Sequence, residues 1–445
     1  FEIDQTGRGG EGGGQATPET TVALYELATS AILEREGIQM AKSNARRGAT
    51  QKSSAGAASY LVQLLQATFF EAHAEQRRVI GDSQLEEAAL GLVEPEKLGQ
   101  IRSEMPKYDG RAERGHYVEL ITGEHVGRRG TVTSRPFRVK FEDGTLSDYL
   151  READFLTSGL DEKTGREFER SQRRKRQGAV TEACAALPQE VRDALRQVKE
   201  RVAQDKLPLF SLLQTSPFQF QASHLSFQEY YTAKAICDGR KLPPAFAAPW
   251  RWGVWWANTL RLGAEMGDVF GRGLLEASSC SAEHLDLKGK IGDTALQAQV
   301  QQQQPASKRS SKESMRKSKE NIETHRPTAL LAVAQLMRAT KAITLTGCAL
   351  TPEEGLRIAE GLRLSSCLTS LNLASNRLVG VWFEGGNFKG EYSREAIDAI
   401  SLAVGGSQTL TMLDLSQNSL GVSYVSGVRV PSAQGIQAIA DAASK

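Results

Sequence analysis

The sequence predicts a multidomain α+β protein: a helical region with an inserted small β-barrel, followed by an α/β solenoid of short repeats. Three observations predict it. A leucine pattern recurs near the C-terminus, as in Leu368-Thr-Ser-Leu371-Asn-Leu373-Ala-Ser-Asn376-Arg-Leu378. Apolar residues recur at helical spacing through much of the chain before it. Between residues 115 and 157 that spacing gives way to strand-like alternation and turn-forming glycines.

The totals narrow the function classes. A chain of 445 residues is long enough for two to four domains. A net charge of +2 creates no whole-chain field toward nucleic acid or acidic lipid, so any such binding must come from a local patch. The five cysteines are odd in number and widely spaced, and none forms a CxxC pair. Neither a disulfide framework nor a cysteine zinc site follows, and a reducing, cytoplasmic location is expected. No apolar run approaches the roughly 18 residues of a membrane helix, so no membrane insertion is expected.

Residues 1–16 include the Gly-rich stretch Gly9–Gly14 and read as a flexible segment. Residues 17–110 are expected to be helical. Thr17-Pro18 has the form of an N-cap with a first-turn proline. Leu24, Leu27, Ala28, Ala31 and Ile32 make one amphipathic stripe, and Leu61, Leu64, Leu65, Thr68 and Phe69 make another. The stretch 41–58 reads as a loop, and Ser83–Leu92 as a third helix. Over 115–157, His116–Thr122 alternates, Phe137–Phe141 follows, and Asp143-Gly144 is a hairpin turn. The segment Val118–Val132 resembles the KOW or SH3-like barrel family. That resemblance places Gly127 and Gly130 in the tight turn between the first two strands and implies RNA, peptide or a neighbouring domain as ligand.

Residues 158–280 return to helix. Asp161–Gly178 carries Arg170, Arg173, Arg174, Lys175 and Arg176 and reads as a linker or a solvated helix; the four cations 173–176 are candidate RNA contacts. Leu187, Val191, Leu195, Val198 and Val202 form the apolar side of the next helix. The Trp250, Trp252, Trp255, Trp256 cluster reads as helical core rather than a base-stacking platform. The segment Phe218-Gln-Phe-Gln-Ala-Ser-His-Leu-Ser-Phe-Gln-Glu-Tyr-Tyr231 resembles a signature behind the nucleotide-binding core of NACHT-type NTPases, the NOD-like receptor family. One extra residue separates Phe220 from His224. The resemblance implies a NACHT-associated helical region, and for His224 a cofactor-binding role near a nucleotide phosphate if a nucleotide domain precedes this chain. The residues themselves favour packing over base catalysis for His224.

The repeats carry the clearest pattern. Leu410-Thr-Met-Leu413-Asp-Leu415-Ser-Gln-Asn418-Ser-Leu420 matches L-x-x-L-x-L-x-x-N-x-L, as the Leu368 copy does. Thr340–Leu350 is a third copy with Cys348 at the asparagine position. A degenerate copy is expected in 281–300, near Leu285-Asp-Leu287. A Gln-rich and basic linker, 301–326, separates it from leucine-rich repeats over 327–445. The step from Thr340 to Leu368 is 28 residues, a period similar to that of ribonuclease-inhibitor-like repeats. Asn376 and Asn418 are expected to turn inward onto backbone groups. Thr351-Pro-Glu-Glu354 is a capping box. Ile397, Ile400 and Val404 make one helix face, and Ile436, Ile439 and Ala440 the last. The next step, Leu368 to Leu410, is 42 residues; Gly380–Tyr392 holds the extra ones, and Gly421–Val430 is its counterpart. Trp382, Phe383 and Phe388 on that insertion are candidate partner contacts.

No phosphate-binding loop G-x-x-x-x-G-K-S/T is present, since Gly289-Lys290 is followed by Ile291. No catalytic constellation, metal site or cofactor is expected, and the chain does not read as an enzyme. The expected function is protein interaction and regulation in a NACHT and leucine-rich-repeat type signalling or scaffold protein. The alternative is an RNA-associated protein using the barrel and basic linkers.

Overall fold

A computed structural model describes residues 19–35, 56–103, 116–120, 129–134, 138–141, 146, 155–243, 246–291, 326–384, 387–425, 428–431 and 433–443. The protein is mixed α/β with small sheets. The expected segments 1–16 and 301–325 lie outside the described residues, as do Thr17-Pro18, Gly127 and Asp143-Gly144.

Helix α1 spans Thr21–Arg35 and starts three residues later than Pro18, with Thr20 Oγ1 accepting the Ala23 N–H at 3.1 Å. The stripe expected to face inward does not. Leu24 and Leu27 are 52% and 38% exposed, while Val22, Thr29 and Leu33 are buried. Aromatic packing sets this rotation: the Tyr25 ring stacks on Tyr230 at 5.5 Å and meets Phe227 edge-on at 5.6 Å. Helix α2 (Gly56–Ala74) begins inside the stretch read as a loop, and its predicted stripe, Leu61 to Phe69, is wholly buried. Helix α3 covers Asp82–Val93, close to the expected span.

Strand β1 (Val79–Gly81) precedes α3. It pairs antiparallel with β7 (Phe218–Ala222), which pairs with β6 (Phe210–Thr215), giving the order β1-β7-β6. These strands correct the all-helical reading of both regions. Phe69 stacks on Phe210 at 4.5 Å and on Tyr231 at 5.1 Å, joining α2 to the sheet and to helix α7 (Leu225–Cys237). Helix α6 (Gln189–Ala203) buries all of its predicted apolar side.

Between α3 and α6 lies an insertion. Helix α4 (Pro95–Ser103) leads into four strands: β2 (His116–Leu120), β3 (Arg129–Ser134), β4 (Arg138–Phe141) and β5 (Phe155–Asp161). Their order is β4-β3-β2-β5, all antiparallel. The expected barrel is therefore an open sheet among the described residues, because no pairing joins β4 to β5. The sheet also runs to Asp161, past the expected boundary at 157. Gly130 pairs with Val118 inside β3 rather than sitting in a turn. Helix α5 (Glu162–Ala185) then leads out, so the charged stretch is a helix and not a linker.

Two short helical turns, Pro249–Arg251 and Val254–Trp256, carry Trp250, Trp255 and Trp256, with Trp252 between them. Trp252 and Trp256 are buried and stack at 4.0 Å, and the Trp255 Nε1–H donates to the His73 carbonyl at 3.0 Å. Helices α8 (Ala257–Glu265) and α9 (Asp268–Ala277) complete this half.

The last part is a parallel sheet of β8 (Leu285–Asp286), β9 (Ala342–Thr344), β10 (Ser370–Asn372) and β13 (Met412–Asp414), stacked in chain order. Strand β8 lies where the degenerate copy is expected and pairs in parallel with β9, Leu285 opposite Ile343. Helices run alongside: α10 (326–337), α11 (Pro352–Leu364), α12 (Glu395–Gly406) and α13 (Gln434–Ala443). Arg326, expected to end the linker, is the first described residue of α10 and belongs to that helix. The Thr351 capping box is present, with Thr351 Oγ1 accepting the Glu354 N–H and Glu354 Oε2 accepting the Thr351 N–H. The two long insertions are hairpins, β11–β12 (Trp382–Glu384 and Asn387–Lys389) and β14–β15 (Val422–Val425 and Val428–Pro431). The expected last helix face is only partly covered: Ile436 is 54% exposed and Ala440 is exposed.

Candidate interaction surface

Each repeat is closed from inside by one polar side chain. Asn376 is buried, and its Nδ2 donates to the Leu373 and Leu345 carbonyls at 2.8 and 2.9 Å, while its Oδ1 accepts the Leu350 N–H at 3.1 Å. Asn418 repeats this one unit on: Nδ2 donates to Leu415 and Leu373 at 3.0 and 2.8 Å, and Oδ1 accepts the Leu378 N–H at 3.4 Å. The Nδ2 of each carboxamide thus bridges its own turn and a carbonyl of the preceding unit, and Oδ1 adds a second tie to that preceding unit. Cys348 holds the same place in the first full repeat. Its Sγ–H donates to the Leu287 carbonyl at 3.2 Å, and burial pushes the thiol up from its ordinary value. That contact puts Leu287 in the position that Leu345 and Leu373 occupy in later units.

This interior ladder displays an outward one. Inward leucines leave Asp286, Thr344, Asn372 and Asp414 in one row on the opposite face of the sheet. Thr346 Oγ1 donates to Asn372 Oδ1 at 2.7 Å, and Asn372 Nδ2 donates to Asp414 Oδ2 at 3.0 Å. The Ser416 backbone N–H bonds Asp414 and holds its carboxyl below the ordinary value. His284 Nε2 and Thr344 Oγ1 lie 2.9 Å apart. The surface is a row of hydroxyl, carboxamide and carboxylate groups with fixed orientations. None of these was singled out from the sequence, although they are the x positions between the pattern leucines.

The first hairpin has a rigid neck. Gly380 and Gly390 adopt φ of +75° and +89°, and a Cβ on Gly390 would lie 2.0 Å from the Gly380 carbonyl oxygen. No other residue fits there. Trp382 is half-buried, with the Arg377 guanidinium 4.2 Å above its ring. Phe383 and Phe388 face each other in register; their side chains lie outside the described residues.

The other sequence candidates fall elsewhere. His224 precedes α7 and is exposed, which corrects the packing reading; its Nδ1 lies 3.4 Å from Ser226 Oγ. The buried motif residues are Phe220 before it and Gln228, Glu229 and Tyr230 after it. Gln228 Nε2 donates to the Arg77 carbonyl at 3.0 Å, and Glu229 accepts from Asn258 Nδ2 at 2.6 Å. Burial raises the Glu229 carboxyl, which the Asn258 bond opposes. Arg174 and Lys175 are exposed, but Arg176 is ion-paired to Glu87 at 2.7 Å. The Arg173 side chain lies outside the described residues. His73, overlooked in the sequence, is fully buried against Trp255 and Trp256, and burial drives its pKa down to about 3.

Among the described residues no helix is long and apolar enough to cross a membrane, and no His, Cys, Asp and Glu group could hold a metal ion. No protein-family model matches the sequence, and no curated protein matches it.

Proposed function

We propose that this chain is the non-catalytic interaction and regulatory segment of a cytoplasmic signalling or scaffold protein of NACHT and leucine-rich-repeat type. It binds protein partners through a short leucine-rich-repeat solenoid. The observation that carries this is the ladder of Cys348, Asn376 and Asn418, which holds each unit's turn to the preceding strand and sets the row from Asp286 to Asp414 outward at fixed spacing. A preformed polar row loses little conformational entropy on binding. In the helical half, α2, β1, α3, α6 and the β6–β7 hairpin follow the order of a winged helix, with the open sheet inserted between its second and third helices. The resembling motif runs from that hairpin into α7. The five free thiols support the cytoplasmic assignment.

The test blocks the surface without touching the ladder. Ser370 and Ala342 are register partners on the outward face. Proximity labelling with the Ala342→Arg/Ser370→Arg variant is expected to lose a defined set of proteins that the wild-type chain labels, with an unchanged melting temperature. An identical labelled set would remove the reading. The RNA alternative retains Arg174 and Lys175 as exposed cations. It predicts salt-sensitive RNA retention on filters, and retention that is absent or independent of salt excludes it.

A further inference from the structure

The inserted sheet is mounted on two helices, α4 leading in and α5 leading out. Both send an arginine to one carboxylate on α3. Arg102 Nη2 donates to Glu87 Oε2 at 2.8 Å, and Arg176 Nη2 donates to the same oxygen at 2.7 Å. Arg102 Nη2 also reaches Glu71 Oε2 on α2 at 3.2 Å, and Arg240 Nη2 donates to Glu71 Oε1 at 3.3 Å. The two carboxylate side chains are only 12% and 13% exposed, so water does little to screen them.

Arg240 closes helix α7. The Gly239 N–H bonds the Ile236 carbonyl at 2.9 Å and the Arg240 N–H bonds the Ala235 carbonyl at 3.0 Å, with Gly239 at φ +73°. This is the Schellman pattern, and Arg240 is its final donor. An unbroken side-chain path therefore runs Arg176–Glu87–Arg102–Glu71–Arg240. It joins the stalks of the inserted sheet to the end of the helix that holds Gln228 and Glu229. The buried valines of the sheet, Val132 and Val139, do not belong to the continuous apolar core of the rest of the chain.

We infer that this ion path couples the position of the inserted sheet to the C-terminal turn of α7. Moving a stalk removes one guanidinium from Glu87. Arg102, shared between the two carboxylates, then shifts toward Glu87 and no longer holds Glu71 from its far side, so the Glu71 carboxylate is freer to move and its anchorage of Arg240 weakens. Partially buried charges tolerate no unbalanced partner, so the change passes on rather than being absorbed by solvent. A ligand on the inserted sheet would in this way loosen or tighten the end of α7 without touching it.

The experiment is amide hydrogen exchange of the full chain at Gly239 and Arg240. Arg176→Met, which removes a side chain that does not contact α7, is expected to speed exchange at both by about tenfold. Arg102→Met should do the same, and the double variant should be no faster than Arg102→Met alone, because the path is already cut. Glu87→Gln keeps the side-chain size but releases Arg102 to Glu71, and should slow exchange at both rather than speed it. If Arg176→Met destabilises the inserted sheet, Glu87→Gln alone decides. Wild-type exchange at 239 and 240, with acceleration confined to 82–103 and 162–185, overturns the coupling.

Discussion

The repeats and the helical region are held together by contacts of different reach. In the repeats, the important bonds join a unit to its immediate neighbour, as Asn376 joins Leu345 and Asn418 joins Leu373. In the helical region they join distant parts of the chain. Gln228 bonds Arg77 across 151 residues, and Trp255 bonds His73 across 182. A stacked array therefore fails unit by unit, whereas a core assembled from distant segments fails at once.

The largest expected effect tests that contrast. Phe69→Ala removes the ring shared by α2, β6 and α7 and should cost about 4 kcal/mol. The loss should appear as one transition in urea followed by tryptophan fluorescence. Leu371→Ala in the central repeat should cost about 3 kcal/mol, but Leu413→Ala in the last repeat only about 1 kcal/mol. Leu371 is fully buried, and Leu413 is half-buried because among the described residues its strand is the edge of the sheet. Equal costs at the two leucines would show that the last repeat is as well covered as the central one.

The pH response separates the halves next. Buried His73 has its pKa lowered to about 3, so the unfolded chain takes up the proton first. Stability from this group is complete above about pH 6.5 and falls by about 1.4 kcal/mol per unit as pH drops toward 3. Between pH 6.5 and 4.5 the loss should be about 3 kcal/mol, confined to the helical region. His73→Gln should flatten that part of the curve; an unchanged slope would mean that His73 is not buried in its neutral form.

Asn376→Ala strands the Leu345 carbonyl and the Leu350 N–H, while the Leu373 carbonyl keeps its bond from Asn418, and should cost about 2 kcal/mol. Amide exchange should rise in the repeats on both sides of it while α2 and α7 stay protected. Thr351→Ala, which removes one side of the capping box, should cost about 1 kcal/mol, as little as Leu413→Ala, with faster exchange limited to the first turn of α11.

The two halves were also unequally legible in the sequence. The buried stripes of α2 and α6 and the inward turn of both asparagines could be read directly. The stripe on α1 could not, because Leu24 and Leu27 satisfy the helical spacing as well as the face that Tyr25 turns inward. Strands β1, β6 and β7 were missed because each is short and pairs across more than a hundred residues or lies within a segment with mixed periodicity. The motif around His224 points to packing, yet His224 stands with Ser223 in the two-residue joint where the hairpin has ended and the helix has not begun.

What the sequence determined by itself is the repeat unit: the spacing of its leucines, the asparagine that closes its turn, the cap of α11 and the places where hairpins are inserted. Those features are set by contacts a few residues or one period apart, so local pattern contains them. Only the tertiary structure decided which face of α1 is covered, that the inserted strands form an open sheet, and that five charged residues from α2, α3, α4, α5 and the end of α7 meet in one path. Periodicity tells which side chains share a face. Whether that face meets core, solvent or an opposite charge depends on segments far along the chain, and only the packed fold brings them together.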